Sequence, residues 1–173
     1  MLLIFIGYVF IFFQLPVNGF DLLADFIGYV LVYMGLSKFT EEKSFVAAKP
    51  FTQLMAVLNL IYSVGGQWLP DIAVAALGVV TMILSLYILF MFNQGIQEME
   101  WRTNAYLKAD KLKATWRYQM IFTVGNGILT LLLSDVFAII ANMFGIVAMI
   151  ANIMFLYHLI GVKEALDQMG QEN

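Results

Sequence analysis

Six apolar blocks separated by polar connectors run the length of the chain, over residues 1–15, 20–36, 51–65, 72–92, 118–133 and 136–161. Within each block the apolar residues are contiguous, neither alternating nor confined to one helical face. That is the pattern of helices whose whole circumference meets an apolar medium. At ~1.5 Å per residue the first block is short for a bilayer crossing, so it is expected to stand nearly upright or to thin the bilayer locally.

The breaks between blocks have their own chemistry. Pro16, Asn18 and Gly19 predict a tight turn, and Gly65-Gly66-Gln67-Trp68-Leu69-Pro70-Asp71 predicts another with an interfacial tryptophan. Ser134-Asp135 is the shortest break. Residues 37–49 form a polar connector, and residues 93–117 a charged helical stretch that either extends its flanking helices or lies on the membrane surface. The expected fold is therefore all-α: one polytopic membrane domain over residues 1–173, with six transmembrane helices arranged as three helical hairpins.

Composition agrees with lipid as the solvent, since 62% of residues are hydrophobic and the mean hydropathy is +0.85. The chain has no cysteine and one histidine, so a disulfide framework, a thiolate nucleophile and a Cys- or His-based metal centre are not expected, and neither is a cofactor. Met1-Leu2-Leu3-Ile4-Phe5 lacks a basic segment, and no small-residue cleavage site follows it, so the first block reads as a retained helix.

Charge orients the chain. The nine basic residues are Lys38, Lys43 and Lys49, then Arg102, Lys108, Lys111, Lys113 and Arg117, then Lys163. A six-helix chain places these three groups on one side, which the positive-inside rule makes cytoplasmic together with both termini. The opposite connectors carry Asp21, Asp25, Asp71 and Asp135, and no basic residue.

The starts of the even helices align as Asp21 to Gly28, Asp71 to Gly78 and Ala138 to Gly145, a faint threefold repeat that sets Asp25 against Asn142. Gly28, Gly35, Gly78 and Gly145 are expected to be close-packing points, because helices in lipid associate where side chains are small. Asp21, Asp71 and Asp135 suit helix capping. Asp25 lies a full turn deeper and four residues from Asp21, on the same face. An ionisable side chain at membrane depth is a functional-site hypothesis by default. The candidate ligand or cation site is thus Asp21, Asp25, Asn18 and Asn142, with Asn59, Asn126 and Tyr29 as further polar neighbours. Arg102, Lys108, Lys111 and Lys113 are the candidate docking surface for a protein partner or anionic lipid headgroups, opposed by Glu98, Glu100 and Asp110. His158 reads as a packing or interfacial residue.

Phosphate-binding Gly-rich loops, the Gly-x-Ser-x-Gly elbow and His-Glu-x-x-His are absent, and Asp21-x-x-x-Asp25 lacks the further aspartates of lipid phosphatidyltransferases. No enzymatic activity and no nucleic-acid partner are expected. The leading expectation is an accessory or regulatory membrane component; the alternative is a small-solute or ion transporter, or a substrate-binding membrane subunit, with an outward-facing site near Asp21 and Asp25.

The run Asn18-Gly19-Phe20-Asp21-Leu22-Leu23-Ala24-Asp25-Phe26-Ile27-Gly28-Tyr29, followed by Gly35-Leu36-Ser37-Lys38, resembles a signature of small uncharacterised multi-pass membrane proteins of Gram-positive bacteria. Ala24 stands where that signature often has proline, and Leu69-Pro70-Asp71 looks like a copy that kept it. The resemblance implies a bacterial cytoplasmic membrane protein and brings no activity with it.

Overall fold

The computed structural model describes residues 1–13, 16–17, 20–21, 25–131 and 135–169, with the backbone alone at 16–17, 20–21, 67, 130–131 and 135–138. Among the described residues there are six α-helices: α1 (Leu2–Phe12), α2 (Asp25–Leu36), α3 (Lys43–Gly65), α4 (Asp71–Thr103), α5 (Ala109–Leu131) and α6 (Asp135–Met169). Between α1 and α2, two short strands, β1 (Pro16–Val17) and β2 (Phe20–Asp21), pair antiparallel, with Pro16 opposite Asp21 and Val17 opposite Phe20. A 3-10 turn, Gly66–Trp68, leads from α3 toward α4.

Helices α3 to α6 extend beyond their apolar blocks, because hydropathy marks contact with an apolar medium, whereas a helix runs on wherever its backbone bonds and end groups are satisfied. α1 and α2 are instead shorter than the blocks 1–15 and 20–36, with Phe13 outside the helix and Phe20–Asp21 in β2. α3 starts at Lys43, within the polar connector, and α4 runs on to Thr103. The charged stretch thus extends both flanking helices and is interrupted only at 104–108, where Asn104 and Lys108 have φ of 52° and 61°. A left-handed asparagine just past the last turn is a common helix stop.

Two glutamates near the end of α4 each satisfy the start of a neighbouring helix. Glu98 accepts from the Ser44 backbone N–H at 3.1 Å and from its hydroxyl at 2.7 Å. Glu100 accepts from the Ala109 backbone N–H at 3.0 Å. Carboxylates at these N-termini fill orphan donors and meet the positive ends of the helix dipoles of α3 and α5.

Each helix packs against the next in sequence, and α6 packs against α1, so the six close into a ring. Contacts such as Ile4 with Gly35, Phe45 with Gly95, and Lys108 with Gly161 show neighbouring helices running antiparallel. The tightest crossing joins α1 to α2: a Cβ on Gly7 would lie 2.7 Å from the Gly28 carbonyl oxygen, and one on Gly28 would lie 2.7 Å from that of Gly7. Gly28 and Gly35 are thus close-packing points, as the sequence suggests. Gly78 is not, with nothing within 4 Å of its Cβ position, and Gly145 meets only the Asn126 amide nitrogen at 4.0 Å. The repeat in sequence does not carry a repeated contact.

The main core lies at the end of the ring where α2 and α4 finish. Tyr8, Phe92 and Phe155 meet edge to face with centroids 5.2 to 5.9 Å apart, and Phe45 joins them through Phe92 at 5.5 Å. Ile96, Leu112, Leu159 and Val162 continue this core away from the aspartate end. At the opposite end the burial pattern inverts, and Ile72, Ile83, Ile139, Met143 and Ile146 are all exposed. Only 11% of the apolar window of α4 is buried, so most of its hydrophobic surface faces outward. Three helices, Lys43–Gly65, Asp71–Thr103 and Ile139–Met169, are long and apolar enough to cross a membrane, while α1 and α2 are shorter apolar helices.

Candidate functional site

Polar residues scattered through the apolar blocks converge on the axis of the ring. They line a cavity of about 280 Å³ to which all six helices contribute. That is the space of roughly nine waters at ~30 Å³ each, or of one small solute. Tyr8 and Phe12 come from α1, Asp25 and Tyr29 from α2, and Asn59 from α3. Thr81 and Ser85 come from α4, Gln119 and Thr123 from α5, and Asn152 from α6.

The position of each along its helix locates the cavity. Asp25 is in the first turn of α2, Thr81 and Ser85 lie in the first half of α4, and Asn59 lies in the last third of α3. The cavity therefore occupies the half of the ring nearer the aspartate end. The rings of Tyr8, Phe92 and Phe155 lie on its other side, between it and the basic end.

Four side chains of the lining each donate one hydrogen bond within the protein. The Thr81 hydroxyl donates to the Gly78 carbonyl at 3.1 Å, and the Ser85 hydroxyl to the Met82 carbonyl at 2.9 Å. The Asn59 side-chain amide donates to the Met55 carbonyl at 2.9 Å. Gln119 donates from Nε2 to Oδ1 of Asn152 at 2.8 Å, tying α5 to α6. Two fully enclosed polar atoms on this lining have no hydrogen-bond partner: the Tyr8 hydroxyl and the Gln119 Oε1, on side chains that are 2% and 1% exposed.

Asp25 is the sole charged residue among the described residues that line the cavity. Its first-turn position also suits interaction with the α2 dipole, yet capping alone does not account for the amides and hydroxyls gathered around the same space. Asn59 and Tyr29 join it there. Asn18 lies outside the described residues, as does the side chain of Asp21, whose backbone is in β2. Asn142 stands on the exposed side of α6, and it is Asn152 of that helix that lines the cavity. Sequence reasoning missed Tyr8, Gln119 and Asn152. The available signal was that polar side chains within lipid-facing helices turn inward.

At the basic end, Arg102 pairs with Glu41 and donates to Glu42 at 2.5 Å, a carboxylate that is 3% exposed. Arg102 itself stays half exposed while pairing with both carboxylates. Lys111 is exposed, whereas Lys108 and Lys113 are half-buried. Lys163 pairs with Asp167 at 2.8 Å. The Trp116 indole donates to the Leu86 carbonyl at 3.0 Å and ties α5 to α4.

Comparison with protein-family models, with curated proteins and with solved structures found no match.

Proposed function

We propose that the chain is an integral protein of the cytoplasmic membrane that binds a small polar solute in the central cavity and serves its transport, without enzymatic activity. In this reading the six helices are six spans, with both termini on the cytoplasmic side. The cavity then faces outward, and the aromatic core and the Arg102 cluster lie on the cytoplasmic side of it. The observation that carries the reading is the cavity itself, at which polar side chains from all six helices meet a carboxylate inside an otherwise apolar ring. Polar groups in an apolar medium are retained where they face a bundle interior or a solute path. For the accessory or docking reading, Arg102 is engaged by Glu41 and Glu42, which leaves Lys108, Lys111 and Lys113 as its basic groups.

Gly78 allows a clean test. It lines the cavity, and a side chain there meets nothing within 4 Å of its Cβ. Detergent-purified wild type and Gly78→Leu are compared for thermal stabilisation by a panel of amino acids, polyols, amines, organic acids and inorganic ions. The expected outcome is stabilisation of the wild type by at least one class, lost in Gly78→Leu. A wild type that responds to none of them, or a response that survives the filled cavity, overturns the reading. Orientation is tested separately by cysteine labelling, since the chain has no native cysteine: Trp68→Cys is expected to react from outside and Trp101→Cys from inside.

A further inference from the structure

On the axis of the ring, the rings of Tyr8, Phe92 and Phe155 wall the cavity off from the basic end. Polar side chains continue past the cavity elsewhere, along the seam between α4 and α5. On α4, Thr81, Ser85, Leu89 and Asn93 follow at four-residue steps; the first three line the cavity, and Asn93 is one turn closer to the basic end. On α5, Thr123, Gln119, Thr115 and Lys111 follow at the same step. Thr123 and Gln119 line the cavity, Thr115 is 2% exposed, and Lys111 is exposed at the basic end.

Asn93 belongs to the α5 side of α4. It is three residues from Phe90 and seven from Leu86, the positions where α4 meets Trp116, by a ring contact at 5.2 Å and by the indole hydrogen bond at 3.0 Å. Residues at those spacings share a helix face, and Phe92 beside it turns to the aromatic core. Asn93 is enclosed there with neither Oδ1 nor Nδ2 partnered, a costly arrangement for an amide. Polar groups at membrane depth are retained where they meet a solute path, and transporters alternate access by moving one group of helices against another around a fixed site. Resting on the reading of the cavity as a solute site, we infer that the inner half of the solute's route is the seam between α4 and α5, with Asn93 and Thr115 as its polar contacts, closed in this conformation and opened when the two helices part at Trp116.

The test is thiol labelling of the full chain in sealed vesicles, for which the absence of native cysteine leaves a clean background. Asn93→Cys and Thr115→Cys are compared with Leu36→Cys and Leu159→Cys, two core positions off the seam that are 0% exposed. The probe is a membrane-impermeant trimethylammonium methanethiosulfonate, applied in turn from each side, with Trp101→Cys marking the basic side. An enclosed thiol reacts in proportion to the time its surroundings stand open, so both seam variants are expected to react from the basic side at least roughly tenfold faster than the two controls. Asn93→Cys breaks no hydrogen bond and Thr115→Cys only a local one to the Lys111 carbonyl, so if one fails to fold the other carries the comparison. Labelling no faster than the controls, or only from the opposite side, overturns the inner route. The solute panel applied to wild type and Gly78→Leu separates the two readings. A positive panel with slow labelling removes the seam and leaves the solute site, whereas a silent panel removes the solute site and with it the route.

Discussion

Glu98 on α4 holds the start of α3 by accepting from both the backbone N–H and the hydroxyl of Ser44, at 3.1 and 2.7 Å. The cap of α3 thus comes from a different helix. Glu98→Ala is expected to lower stability by ~1–2 kcal/mol, the range for loss of an N-cap. Ser44→Ala keeps the backbone bond and should cost less. Reversible unfolding in mixed detergent micelles measures both; equal stability of Glu98→Ala and wild type would show that α3 starts without this cap.

Gly28 and Gly78 occupy matched places in the faint sequence repeat and opposite places in the packing. Gly28→Val drives side-chain atoms into the Gly7 carbonyl and is expected to destabilise by at least ~1–3 kcal/mol, as overpacking does. Gly78→Ala meets open space and gains helix propensity of up to ~1 kcal/mol. The two midpoints should move in opposite directions. Movement in the same direction would contradict the close approach of α1 and α2.

Gln119 and Asn152 form an amide pair between α5 and α6. Changing either to leucine strands the other, so each single variant is expected to cost ~1 kcal/mol. The double variant Gln119→Leu/Asn152→Leu should cost less than the sum, by about 0.6 kcal/mol, the typical coupling of such a bond within a membrane. A double-mutant cycle reads this directly, and strict additivity would mean that the pair does not form.

Asn93 is 5% exposed, and neither its Oδ1 nor its Nδ2 has a hydrogen-bond partner. Asn93→Leu is therefore expected to raise stability by ~1–2 kcal/mol, because it removes two desolvated polar groups and keeps the volume. A lower thermal midpoint would point to a polar partner for Asn93 in the membrane.

What was legible in the sequence follows from what local pattern encodes. Contiguous apolar blocks marked six helices, and the placement of Asp25, Asn59 and Tyr29 in apolar surroundings marked part of the cavity. The starts of α3 and α5 were not legible, because the bonds that hold them come from Glu98 and Glu100, distant in sequence from Ser44 and close to Ala109 only through a turn. Asn142 and Asn152 sit in equally apolar stretches of α6, and which of them turns inward is decided by how α6 meets α5. Gly28 and Gly78 look alike for the same reason: a glycine's sequence context does not say which backbone approaches it.

The ring also has an order of completion. α1 to α5 each pack on a helix made just before or just after them, so these contacts can form as synthesis proceeds. The seam between α1 and α6 joins segments far apart in the chain, through Tyr8 and Phe12 against Phe155. Until α6 packs, Tyr8 and Phe12 lack Phe155, Gln119 lacks Asn152, and the polar axis stands open along one flank. The cavity is thus complete only once the seam between α1 and α6 has closed.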